Sequence, residues 1–357
     1  TETAKENNEM NGYGIIAPNT FGKITGAPEP ICEPMDAIAE AVAWATCTSD
    51  PHQVHAGLPA GLILGHEVVA RLVKVGSMVK DFKAGDIVCV GAVTPDWTWP
   101  NCQDNIHQDA NGAAQGMNWC VTENGTFAER FRIRQVDCNA TYIPKSLTYE
   151  HALMASDMVT TGFHGVEMAH VTWGDTVVVM GIGPVGLMSV AGSALRGAGR
   201  IIAIGRRPIT LELAKEYGAT DVLNYTDGPI DEQVLELTGG VAPDCCITTG
   251  GTNDTFARCL KMVKPNGIVS NLQAQTFDTE IPGMYTLYWQ SHKQVNGGLC
   301  PGGRKRMQRL LSIMEAGRLD PTKLITHRFH GMEHIMDAYN MMDVKPDDMV
   351  KPVIYND

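Results

Sequence analysis

The apolar run TVVVM, residues 176–180, leads directly into GIGPVG at 181–186 and then into a stretch of helical period, PVGLMSVAGSALRGAG. A buried strand, a glycine turn and a helix in that order open a doubly wound α/β unit. The same grammar continues through RIIAIG, ITLELAKEYGA, DVLNY, DEQVLELTGG, PDCCITTGG, DTFARCLKMVKP and GIVSNL. Continuous apolar strands joined by helical periods predict a parallel sheet covered on both faces. In the first helix Leu187, Val190, Ala191, Ala194 and Leu195 fall at helical spacing, which predicts one apolar stripe against that sheet.

Each glycine of the turn has its own job. Gly181 permits a tight turn, Gly183 lets backbone approach a pyrophosphate, and Gly186 lets helix and strand pack closely. Pro184 and Val185 open the helix, whose unpaired N–H groups and positive dipole end favour phosphate. A purely structural glycine turn is the alternative. The next strand ends in IIAIGRRP, residues 201–208, where an NAD site carries an acid for the adenosine ribose. Gly205 stands there instead, followed by Arg206 and Arg207. Loss of the acid removes repulsion against a 2'-phosphate, and guanidinium groups suit that phosphate, so NADP is favoured over NAD. An ordinary solvated pair of cations before Pro208 is the competing account. Tyr225, at the end of the third strand, is placed to pack beside the same ribose or to serve plain packing.

Residues from roughly 10 to 155 read as mostly β, with short runs such as GHEVVARLVKVG, GDIVCVGAV and TFAERFRIR broken by Gly, Pro and Asp. Residues 1 to about 9 read as a loose polar tail. After about residue 300 the alternation stops, and RKRMQRLLSIMEAG and VKPVIYND suggest a return to the first domain. The expected organisation is 1–158, 159–300 and 301–357, the middle segment being the dinucleotide-binding domain. A net charge of −12 argues against nucleic acid or an anionic membrane as partner. No apolar run approaches a membrane span and TETAKENNEMNG has no apolar leader core, so a cytoplasmic chain with its ten cysteines reduced is expected.

Upstream lie CTSDPH, from Cys47 to His52, and GHE, from Gly65 to Glu67. Cys47 and His66 are candidate zinc ligands, yet two residues make no site, and each is commonly a buried thiol or a core imidazole. Asp157 in MASDMVTTGFHG is not selected by spacing.

The order of a Cys-x-Ser-x-x-His stretch, a GHE motif, a β-rich first half and GxGxxG resembles the zinc-dependent medium-chain alcohol dehydrogenases over nearly the whole chain. TPDW, MVTTGFHG, GIGPVGLM, LRGAGRIIA, YGATD, GGLCPGGR and KPVI are similar, more narrowly, to the NADP-dependent secondary-alcohol dehydrogenases of bacteria and protists. The resemblance implies a β-rich GroES-like catalytic domain beside a Rossmann domain. It also implies one catalytic zinc held by Cys47, His66 and Asp157, with Glu67 beside the metal as a transient ligand. Asp50 would orient His66, Ser49 would hydrogen-bond the alcohol, and His52 would relay its proton to solvent through the nicotinamide ribose. Lys345 would lie near the NADP phosphate, and Ala92, Val93, Met117 and Leu299 would form an apolar wall suited to small secondary alcohols and methyl ketones. Hydride would pass between NADP(H) and the alcohol or ketone carbon.

Departures from the family pattern carry information too. The four-cysteine cluster of a second, structural zinc is absent, since Cys89, Cys102 and Cys120 are far apart with no CxxC, so no structural zinc is expected. Ala70 replaces the last glycine of GHExxG, which predicts restricted backbone there, and the interval from Cys47 to His66 is short for the bacterial relatives. Similar enzymes are homotetramers, and the lobe from Pro95 to Trp119 is a candidate contact. A polyol dehydrogenase, a zinc-free quinone or enone reductase of the same fold, and a non-catalytic NADPH sensor are the competing functions.

Overall fold

The computed structural model describes residues 9–104, 117–273, 283, 285 and 289–356. Nearly all of the polar tail, and residues 105–116 of the Pro95–Trp119 lobe, lie outside them. The chain forms two compact units, Thr1–Asp157 with Pro301–Asp357, and Met158–Cys300. Among the described residues no helix is long and apolar enough to cross a membrane.

The first unit is built from β1 (Glu9–Ala17), β2 (Thr20–Pro28), β3 (Ala37–Ala45), β4 (Glu67–Val75), β5 (Ile87–Val90), β6 (Phe131–Ile133) and β7 (Ala140–Tyr142). β1 and β2 form an antiparallel ribbon, and β3, β4, β5 and β7 pair antiparallel in that order, with β6 also on β3. Alternation along these strands sends Trp44, Val68, Leu72 and Phe131 into one core, which Phe127 joins from the loop before β6. Ala70 pairs with Ala41 and Val88 within β4, next to a register shift between Ala41 and Ala43 on β3, and an extended residue there has no use for glycine's freedom.

The second unit carries β8 (Thr176–Met180), β9 (Arg200–Gly205), β10 (Asp221–Asn224), β11 (Cys245–Thr248), β12 (Ile268–Asn271) and β13 (Gln294–Gly297). All neighbours are parallel, in the order β10, β9, β8, β11, β12, β13, so the order reverses beside β8. The helices Thr160–Met168, Pro184–Leu195 and Pro208–Glu216 pack in series, and Ile230–Leu237 packs on Asn253–Met262. This is the doubly wound arrangement. The helix Pro184–Leu195 departs from the single stripe predicted for it: Gly186 through Ser193 are all buried, whereas Ala194 is exposed. A second helix lies over its outer side, where Phe163 and Val166 abut Gly192, and Ser189 Oγ donates to the carbonyl of Gly162 at 3.0 Å.

β14 (Ile325–His330) and β15 (Lys351–Tyr355) return to the first unit, β15 pairing antiparallel with β3. Glu150, on the helix Tyr149–Met154, clamps both strands: it accepts from Arg328 Nε at 2.7 Å and from the Tyr355 hydroxyl. Burial alone would raise this carboxyl, but those donors hold it below its ordinary value. A depressed carboxyl stabilises the fold above its unfolded value of about 4.3 and loses that contribution as pH falls through the folded value. Glu150→Gln is expected to lower the melting temperature by roughly 2 °C at pH 7, for a loss of about 1 kcal/mol, and the difference should shrink progressively as the pH is lowered below the ordinary carboxyl range.

Candidate metal centre and dinucleotide site

β3 ends at Ala45 and β4 begins at Glu67, and these two residues are paired in register. Cys47 and His66, just beyond the two strand ends, therefore meet although 19 positions separate them. Gly65 turns the chain into β4 with φ of 92°, and a Cβ there would fall 2.4 Å from the Phe127 ring. Asp157 arrives from a π-helical turn, Ala155–Val159, a feature frequent at functional sites. The carbonyl of its neighbour Ser156 accepts from Ala92 N–H at 2.8 Å.

Asp157 Oδ2 lies 3.6 Å from Cys47 Sγ and 3.6 Å from His66 Nε2, and ligand atoms of Cys47, His66, Glu67 and Asp157 all lie within 4.8 Å of one another. Tetrahedral zinc with bonds of about 2.0–2.3 Å sets its ligand atoms roughly 3.5 Å apart, so this group fits the ion. Burial, and Asp157 next, raise the Cys47 thiol; burial also raises Asp50, and pushes Glu67 up to about 7. A half-buried thiol and buried carboxyls crowded in this way favour either protons or a cation between them, and a divalent ion displaces the protons. Glu67 Oε2 is buried with no hydrogen-bond partner.

Asp50 holds the far side of the centre. Its Oδ2 accepts from Cys47 N–H at 2.8 Å, and its Oδ1 faces His66 Nδ1 at 3.6 Å. Asp50 shares the helix Ser49–His55 with Ser49 and His52. Ser49 Oγ is 3.4 Å from His66 Nε2, and His52 is exposed one turn further along. Partial burial, then Lys345 and His55, lower the His52 pKa. Lys345 ends the helix Ile335–Val344 in left-handed conformation, φ 56°.

Ala92 and Val93 are buried in the first unit and Met117 is half-buried there; Leu299 is half-buried in the second unit, beyond β13. Cys89, Cys102 and Cys120 each contact a different carbonyl, those of Ala152, Asp96 and Gly65.

Two residues of the centre escaped the sequence. Lys351 is completely buried, and its Nζ donates to Glu67 Oε1 at 2.6 Å and to the Thr46 carbonyl at 2.8 Å. Cys120, also buried, donates to the carbonyl of Gly65, the residue before His66, at 3.1 Å. A lysine in the ending VKPVIYND carries no local sign of burial, and nothing near Cys120 marks it as a neighbour of residue 66.

In the second unit Gly181 turns with φ of 90°, where a Cβ would lie 2.6 Å from Gly250 N, and a Cβ on Gly186 would lie 2.1 Å from the Gly181 carbonyl oxygen. Gly183 differs, for nothing lies within 4 Å of its Cβ position, leaving the backbone open to an incoming group at the helix start. Pro184 occupies the first turn, where its missing N–H costs nothing, and half-buried Val185 follows. Asn224 pairs with Gly205, so Arg206 and Tyr225 leave adjacent strand ends together, both exposed. The Arg207 carbonyl accepts from Thr210 N–H and Oγ1, each at 3.0 Å, which fixes the backbone beneath its side chain.

Residues 33–144 match the family model of the alcohol dehydrogenase GroES-like domain, and 184–316 that of the zinc-binding dehydrogenases. The chain is 45% identical over 351 residues to an NADP-dependent isopropanol dehydrogenase of Thermoanaerobacter brockii, covering 97% of this chain and 99% of that one. It is 46% identical over 350 residues to the protein of that name from Entamoeba histolytica, covering 97% and 95%. Among solved structures, zinc dependent alcohol dehydrogenase 2 from Streptococcus pneumonia superposes with a TM-score of 0.85 at 26% identity, over 98% of this chain and 99% of that one. The chain belongs to the zinc-binding alcohol dehydrogenase family.

Removing one partner of a buried ion pair strands the other charge, at about 3–5 kcal/mol. Lys351→Met should therefore lower the urea midpoint markedly, and adding Glu67→Gln should restore most of it.

Proposed function

We infer that this chain is a zinc-dependent oxidoreductase that transfers a hydride between NADP(H) and a secondary alcohol or ketone. The observation that carries the reading is the convergence of Cys47 and His66 on Asp157, each at 3.6 Å from its carboxylate, together with the relatives' shared name. When bound at these three residues, zinc supplies a Lewis acid for the substrate oxygen, while NADP(H) accepts or supplies the hydride. The chain's own residues do the rest. Ser49 Oγ, beside His66, holds the alcohol proton, and His52 passes it to water. Asp50 and Lys351 keep His66 and Glu67 oriented, and Glu67 is a transient ligand. Ala92, Val93 and Met117 contribute apolar lining, which suits small ketones better than polyols. Arg206 and Arg207 bind the 2'-phosphate, and Tyr225 lies against the ribose. The reading extends to a homotetramer in the cytoplasm, which the family resemblance supports.

The test follows NADPH absorbance with a small methyl ketone, with NADH and a polyol as parallel substrates. Stripping the metal with a chelator should abolish turnover while NADPH binding remains, and zinc should restore it at one ion per chain. Turnover by protein shown to be zinc-free would point to the reductases, and binding without turnover to the sensor.

The lowered His52 pKa has its own signature. Because the imidazole stays unprotonated down to pH values below the ordinary 6.5, alcohol oxidation should hold through neutral pH and fall only on acidification. His52→Gln should lower the oxidation rate by roughly 10-fold to 100-fold and remove that acidic limb from its pH profile.

A further inference from the structure

The glycine at the end of β9 is forced by a neighbour as well as chosen for its lack of charge. Met180 pairs with Ile204, so the residues that follow the two strands lie level with each other. A Cβ on Gly205 would stand 2.3 Å from Ile182 Cγ1 and 2.7 Å from its Cδ1. No real Cβ tolerates such contacts. Ile182 is 3% exposed, so its branched side chain is confined, and β-branching restricts its rotamers further. Its side chain therefore fills the volume that any residue at position 205 would need.

We propose that Ile182, the second residue of GIGPVG, is a determinant of cofactor specificity: it sterically excludes from position 205 the acid that an NAD site requires. This rests on the NADP(H) reading above. The arginines reward the 2'-phosphate, and Ile182 closes the alternative by denying the ribose hydroxyls a carboxylate partner. The discriminating volume is thus shared between the glycine-rich turn and the second strand, and a charge change at position 205 alone cannot redirect the enzyme.

The experiment compares the wild-type protein with Ile182→Ala, Gly205→Ala, Gly205→Asp and the two double variants. NADPH and NADH binding are measured by fluorescence titration, and melting temperature and kcat/KM for each cofactor are recorded. Gly205→Ala introduces the clash without charge, so it should weaken both cofactors by roughly 10-fold and lower the melting temperature, with Ile182→Ala reversing both losses. Gly205→Asp alone should lose NADPH and gain no NADH, whereas Gly205→Asp with Ile182→Ala should bind NADH at least about 10-fold better than Gly205→Asp alone. NADH binding by Gly205→Asp equal to that of its double variant, or additive effects in the alanine pair, would overturn the proposal. If Gly205→Asp does not fold, the uncharged alanine pair decides the matter. A wild-type preference for NADH would instead defeat the NADP(H) reading, while the alanine cycle would still report whether Ile182 occupies the site.

Discussion

A fully buried ion pair, Lys351 with Glu67 at 2.6 Å, makes the rest of the metal centre tolerable. Asp50, Glu67 and Asp157 are packed together with little or no access to water beside the half-buried Cys47, and ionising them there without compensation is very costly. Lys351 provides one fixed positive charge, and a divalent ion held by Cys47, His66 and Asp157 would provide another. The same ammonium also donates to the carbonyl of Thr46, the residue before Cys47. One side chain from the last strand thus joins the end of β3 to the start of β4 at the point where the ligands leave the sheet. The stability of this unit and the electrostatics of its centre are in that sense one problem.

The second unit solves a different electrostatic problem. An anionic dinucleotide on a chain of net charge −12 would have to be held locally. At physiological ionic strength charges are screened beyond about 8 Å, so distant acids matter little beside two adjacent guanidinium groups. Backbone would supply the remainder, through the open approach at Gly183 and the helix that starts there. Glycines in this turn divide into two kinds. Gly181 and Gly186 are small because protein backbone presses on them, whereas Gly183 faces open space and is small for what comes from outside.

Much of this was legible along the chain. Period alone separated the β-rich part from the alternating part, because continuous apolar strands and helical repeats reflect burial that each segment undergoes locally. The glycine turn was legible for the same reason, being contiguous in sequence and carrying its chemistry in backbone conformation. The single stripe read for Pro184–Leu195 failed because a second helix covers its outer side, and a helix's own period cannot report what packs on it.

The sequence by itself determined the local elements, the glycine turn, the absence of an acid at position 205, and two of the candidate metal ligands as types without a site. Tertiary structure decided the rest. The Ala45 to Glu67 register brings Cys47 to His66, the π-helical turn delivers Asp157, β15 buries Lys351 against Glu67, and Ile182 occupies the space beside Gly205. Each of these joins residues far apart in the chain. Short-range periodicity and propensity hold no information about such distances; strand register and close packing do, because they are satisfied only when the whole sheet has formed.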